Sequence, residues 1–169
     1  MIEFLFKKYY DKLSKKQKKI AKILFFLINL HIFGLPLYFF NKYNPQLLPI
    51  QSFLAKLISL ILSTNSQGPY VFYNNYIFEI SADCIGIKSS LAWFSLTFSI
   101  PFLDPKRRFV LFVKYIPLIL SFNFLRILVT IYFSKYVNPF FLHNFLWTII
   151  LNFFLFGLFF YVIKNLKIK

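Results

Sequence analysis

Apolar positions fall in five long runs, at residues 20–40, 47–63, 84–103, 109–133 and 141–163, separated by short polar or basic stretches. A helix needs roughly 20 consecutive apolar residues to cross the hydrocarbon layer of a membrane. Four of the runs reach that length. The run at 47–63 is shorter, carries Lys56 and contains Gln51 and Ser52. Between 47–63 and 84–103, aromatic and β-branched residues flank the pair Asn74-Asn75, which tolerates the positive φ of a tight turn. That pattern predicts a β-hairpin over 69–81. The chain therefore reads as an all-α integral membrane protein: four transmembrane helices, one amphipathic helix on the outer surface and a short extracytoplasmic hairpin. All of it forms one polytopic domain over 1–169, with no internal repeat.

Composition strengthens this reading. Apolar residues make up 59% of the chain and charged residues 15%, too few to cover a soluble domain of 169 residues. The net charge of +15 raises the question of nucleic acid, but its placement answers it. Eight of the twenty cations, Lys7, Lys8, Lys12, Lys15, Lys16, Lys18, Lys19 and Lys22, precede or open the first apolar run. Basic residues there hold a segment in the cytoplasm, so 1–19 reads as a cytoplasmic segment and no nucleic-acid partner is expected. The run at 20–40 is too long for a signal-peptide core and lacks a small-residue cleavage site, so it is a retained span. Asp104-Pro105-Lys106-Arg107-Arg108 forms a basic turn, and Lys164, Lys167 and Lys169 a basic tail, both expected in the cytoplasm. Parity then puts 64–83 outside, lays 47–63 along the outer interface and makes both termini of this plasma-membrane protein cytoplasmic. Five spans, with one end flipped, is the alternative.

Reactive residues are few. Cys84 is the single cysteine, which removes intrachain disulfides and cysteine-rich metal sites, and the scattered histidines and carboxylates have no ligand spacing. Neither a cofactor nor a metal is expected. With the orientation above, Cys84 opens the third apolar run at its outer end and His143 opens the last. Arg126 lies seven residues before Phe133, roughly 10 Å down the fourth apolar run. Three separate helices thus bring Cys, Arg and His to one outer depth. Such a trio suits nucleophilic acyl transfer: a thiolate attacks a carbonyl, an imidazole moves protons and a guanidinium stabilises the developing negative charge. Cys84 is expected in a helix first turn capped by Ser81 or Asp83, with Lys88 one turn further on the same face. Each residue also has a plainer reading. A lone Cys packs in cores, a lone His at an interface hydrogen-bonds or snorkels, and Lys56, Lys88, Lys114 and Lys135 reach toward water. His31 reads as a helix-contact residue.

The motifs Cys84-Ile85-Gly86 with Ser89-Ser90 behind, Asn123-Phe124-Leu125-Arg126 and the later His143 match, in order and spacing, a pattern of Cys-x-Gly, Asn-x-x-Arg and His. In this the sequence, over roughly 47–163, resembles the exosortase/archaeosortase family of membrane cysteine transpeptidases. The resemblance implies cleavage of secreted or surface proteins near a C-terminal motif that is followed by a transmembrane helix and a basic tail. It makes Cys84 the nucleophile of a thioacyl intermediate, His143 the proton-transfer group and Arg126 the oxyanion or orienting group. Asn123 would position Arg126, and Gly86 and Lys88 would support the site. The cleaved protein would pass to an acceptor in the membrane or at the surface. Two other classes compete: a non-catalytic scaffold or inactive relative, and a small transporter lined by Arg126 and Lys88.

Overall fold

The computed structural model describes residues 10, 13–43, 47–101 and 103–166. Lys7, Lys8 and Lys12 of the basic segment, and Lys167 and Lys169 of the tail, lie outside the described residues. Helix α1 spans Lys15–Tyr43, starting five residues before the apolar run. A capping box sets that start: the Ser14 N–H donates to Gln17 Oε1 at 2.9 Å and the Gln17 N–H to Ser14 Oγ at 3.4 Å. Helix α2, Leu48–Leu62, ends at Ser63, whose left-handed backbone (φ 51°) turns the chain into the sheet.

Strands β1 (Asn65–Gln67), β2 (Tyr70–Tyr73) and β3 (Tyr76–Glu79) form an antiparallel sheet in the order β1-β2-β3. Tyr73 pairs with Tyr76 across Asn74 and Asn75, whose φ values are 48° and 63°. Both positive values match the two-residue hairpin turn that the Asn pair predicts. The strand β1 is additional, so the expected hairpin is one half of a three-stranded meander. One face of this sheet sits on α2: Val71 is fully buried in a cluster with Ala55, Ile58, Ile80, Cys84, Ile127 and Ile131.

Beyond the sheet, a 3-10 turn at Ala82–Ile85 leads through Gly86 into α3, Ile87–Phe98. Helix α4 covers Pro105–Phe133, α5 covers Pro139–Phe145, a π-helical segment follows at Leu146–Leu151, and α6 runs Asn152–Asn165. Pro105 and Pro139 each stand in a first helical turn, where a missing N–H costs nothing. Among the described residues, three helices are long and apolar enough to cross a membrane: α1, α4 and the continuous run from α5 through α6. The second expected span, 84–103, holds a 12-residue helix flanked by the 3-10 turn and an irregular exit. At 1.5 Å per residue this helix is about 18 Å long, well short of a hydrocarbon core of roughly 30 Å.

Protein, more than lipid, therefore surrounds α3. Trp93, Leu96 and Ile100 centre the main core with Ile119 of α4 and Leu155 and Phe159 of α6. Ser95 Oγ donates to the Phe33 carbonyl of α1 at 2.8 Å, an interhelical bond of the kind that holds helices together where lipid removes the hydrophobic drive. Ser95, Thr97 and Ser99 also bond back to carbonyls one turn earlier on α3. The guanidinium of Arg108, only 4% exposed, donates to the Phe98 carbonyl at 3.0 Å and so satisfies a helix-end acceptor. Arg108 is thus a cap on α3 as well as part of the basic turn. His31, expected at a helix contact, lies instead on the exposed face of α1.

Candidate active site

The sheet, α2 and α4 together fix the turn that carries Cys84. The Cys84 N–H donates to the Ser81 carbonyl at 2.9 Å, closing the 3-10 turn. The amide of Asn123, on α4, donates from Nδ2 to the Cys84 carbonyl at 2.6 Å. This bond docks the turn against the middle of α4 and sets the depth of the cysteine. Asn123 lies ten residues before the end of α4, about 15 Å along the axis.

Close docking depends on Gly86. Its φ of +89° lies in the left-handed region that a side chain disfavours. A Cβ there would also stand 3.0 Å from Leu120 Cδ2 and 3.3 Å from Asn123 Nδ2. The glycine of the Cys-x-Gly motif thus serves geometry twice, in the turn and at the contact with α4. One expectation changes here. Cys84 is not in the first turn of α3, because Gly86 occupies the N-cap position of that helix and Cys84 precedes it. Ser81 takes the N-cap position of the 3-10 turn, and its Oγ lies 3.5 Å from Cys84 Sγ without capping the backbone.

Arg126, one turn beyond Asn123 on α4, is 4% exposed. Its guanidinium is within electrostatic reach of Cys84 and Asp83. His143, half-buried in the last turn of α5, is in turn within reach of Arg126 and Asp83. The short helix that delivers His143 is anchored by Asn138, whose Oδ1 accepts from the Phe140 and Phe141 N–H groups at 2.9 and 3.4 Å. Three elements that are distant in sequence, the turn before α3, the C-terminal half of α4 and the last turn of α5, therefore meet around Arg126. The charge on Arg126 links the other two, while no hydrogen bond joins Cys84 to His143 among the described residues.

Lys88 behaves differently from the expectation. Its Nζ pairs with Asp83 Oδ1 at 2.5 Å, so its charge is matched to the carboxylate next to the cysteine. Asn123 also differs: its amide holds the backbone of Cys84, where the sequence suggested that it would orient Arg126. The residue that sequence reasoning undervalued is Asp83. Counted there only as a possible cap, it is, among the described residues, the carboxylate acting on Lys88, Arg126 and His143. Its position directly before Cys84 was the available signal.

A sequence model of the transmembrane exosortases matches residues 13–163, nearly the whole chain. The chain belongs to the transmembrane exosortase family. No curated protein and no solved structure matches it. Membership makes this a multi-pass membrane protein with an exosortase-type role, and implies protein substrates that carry sorting signals. In this exosortase the motif residues Cys84, Gly86, Asn123 and Arg126 occupy one contiguous patch, the face where the 3-10 turn rests on α4.

Proposed function

We propose that this exosortase is a membrane-embedded cysteine transpeptidase that cleaves a C-terminal sorting signal from secreted or surface proteins. The observation that carries the reading is the buried guanidinium of Arg126, held within electrostatic reach of Cys84, Asp83 and His143. A cation buried in a membrane-spanning helix is costly unless anions face it. Asp83 is one such anion, and a thiolate or the oxyanion of a tetrahedral intermediate is the other.

The chemistry follows from that placement. The Cys84 thiolate adds to the carbonyl carbon of the scissile peptide bond, and the carbonyl oxygen takes the negative charge beside Arg126. When the intermediate collapses, the C–N bond breaks and His143, as imidazolium, gives its proton to the departing amine. The thioacyl product on Cys84 is then attacked by an amine or hydroxyl of an acceptor in the membrane or at the surface. His143 removes that proton, and the Cys84 thiolate leaves. The basic clusters support an orientation with both termini in the cytoplasm and the sheet outside, so the site faces the extracytoplasmic leaflet of the plasma membrane.

The test is processing of a co-expressed secreted protein with a C-terminal sorting signal, followed as loss of its C-terminal segment. Cys84→Ala, Arg126→Ala and His143→Ala should each nearly abolish it, because groups acting as a unit fail together. A Cys84→Ala chain that processes at the wild-type rate sinks the transpeptidase reading and leaves a scaffold in its place.

A further inference from the structure

A cleft of about 510 Å3 opens where the start of α4 meets the end of α6, lined by Lys106, Arg107, Val110, Leu111, Asn165 and Leu166. Seventeen residues, or about 25 Å of helix, separate Lys106 from Asn123 and the cysteine turn. The cleft includes part of the basic turn Lys106-Arg107-Arg108, but the three cations are not alike. Arg108 is buried and gives its guanidinium to the Phe98 carbonyl. Lys106 and Arg107 are exposed, and among the described residues neither side chain has an ion pair, a hydrogen bond or an aromatic partner. Asp104 at the N-cap pairs with neither, and the first turn of α4 holds no carboxylate.

The polarity of the lining changes with depth. Residues four apart on a helix are neighbours on one face, so Val110 follows Lys106 and Leu111 follows Arg107, one turn further into the membrane-spanning part of α4. Val110 is 61% exposed, while Leu111 and Leu166 pack against the main core and give the cleft a fixed floor. Asn165 is the remaining polar residue. Its Nδ2 already donates to the Tyr161 carbonyl at 2.9 Å, which leaves the recognition of charge to Lys106 and Arg107.

Unmatched cations with apolar side chains one turn deeper repeat the polarity of a phospholipid, an anionic headgroup outermost and an acyl chain behind it. A soluble phosphate would use the cations and leave the apolar step without a role. Basic pockets between spanning helices at the cytoplasmic face suit anionic headgroups. We propose that the cleft between α4 and α6 binds one anionic phospholipid, its phosphate at Lys106 and Arg107 and an acyl chain along Val110 and Leu111. The inference depends on the membrane reading of the chain and is independent of the transpeptidase reading. With the basic turn in the cytoplasm, the lipid belongs to the inner leaflet.

The test uses the full chain purified in a neutral detergent. Phosphatidylglycerol and phosphatidylcholine with identical acyl chains are titrated in, and bound lipid is counted by native mass spectrometry. Phosphatidylglycerol should bind roughly tenfold or more tightly than phosphatidylcholine, the scale set by two basic residues at an anionic headgroup. Lys106→Gln combined with Arg107→Gln should remove that preference, whereas Lys15→Gln with Lys16→Gln, an exposed pair at the start of α1, should keep it. Lys106 and Arg107 are exposed, so their double variant should melt as the wild type does without lipid, which separates lost binding from a folding defect. A phosphatidylglycerol with a diazirine near the start of one acyl chain should crosslink the wild-type chain at Val110 and Leu111. Inorganic phosphate at the same concentration should not displace the lipid. Equal binding of the two lipids, a preference that survives the Lys106 and Arg107 substitutions, crosslinks that miss the start of α4, or displacement by inorganic phosphate would each overturn the proposal.

Discussion

Replacing Gly86 by alanine tests the docking of the cysteine turn most directly. The backbone there has φ +89°, and forcing an L side chain into the left-handed region costs roughly 1–2 kcal/mol. The new Cβ also meets Leu120 Cδ2 at 3.0 Å and Asn123 Nδ2 at 3.3 Å. Leu120 can swing its flexible end aside. Asn123 cannot move without stretching its 2.6 Å bond to the Cys84 carbonyl, and loss of that bond adds about 1 kcal/mol. Together these give about 2–3 kcal/mol of destabilisation, placed entirely where Cys84 sits. Catalysis should suffer more than stability, since a shift of about 1 Å in a reacting group can cost on the order of a hundredfold in rate. The assay pairs processing of a sorting-signal substrate with a thermal melt in detergent. Gly34→Ala is the control: nothing lies within 4 Å of its Cβ position and it sits inside α1, so it should be neutral or stabilise by about 0.5–1 kcal/mol. If Gly86→Ala kept wild-type melting and processing, the turn would not rest on α4 as described.

Arg126→Lys should fail to restore processing in the same assay, because a compact ammonium cannot reproduce the planar fork of a guanidinium; a rate near wild type would reduce Arg126 to a point charge. Arg108→Gln removes the charged donor to the Phe98 carbonyl and should lower stability by about 1.5–3 kcal/mol, a loss read as a lower melting temperature. Its effect on turnover per folded molecule should be small, since Arg108 caps the far end of α3. Asp83→Asn should slow processing, and a double-mutant cycle with Lys88→Met should give a coupling of only about 0.2–1 kcal/mol, because Asp83 is 41% exposed and solvent screens the pair. Reporter fusions after Lys164 and within residues 64–75 should report inside and outside respectively; a tail found outside would reverse the proposed orientation.

Much of the architecture was legible because lipid imposes simple rules. The long apolar runs mark α1, α4 and the α5–α6 segment, and the Asn74-Asn75 pair between β-formers marks the β2–β3 turn. Where the reading fell short, tertiary contacts decided. The run at 84–103 is apolar enough for a full span, yet its helix stops at Phe98, where Ser95 and Ser99 bond to carbonyls of the last turns and Arg108 takes the Phe98 carbonyl. Strand β1 has the polar sequence Asn65-Ser66-Gln67 and no period-two signal; it exists because β2 offers an edge and Ser66 reaches Ser59 of α2. The start of α1 is set by Ser14-x-x-Gln17, a polar signal that lies before the apolar run begins.

The candidate site shows the same division at closer range. The residue types Cys, Arg and His could be picked out because charges and nucleophiles are rare in such a chain. Their partners could not, because partnership depends on which face of each helix meets the next. Lys88 follows Cys84 by four residues, which in an unbroken helix would stack the two on one face. Gly86 breaks that helix, so Lys88 swings to Asp83 and the cysteine turns toward α4. The same break lets one carboxylate serve Lys88 on one side and act on Arg126 and His143 on the other. The buried cation thereby has a counter-charge within electrostatic reach. Asp83 beside Arg126 is already paired with Lys88, which leaves the Cys84 thiol as the reactive group facing that guanidinium.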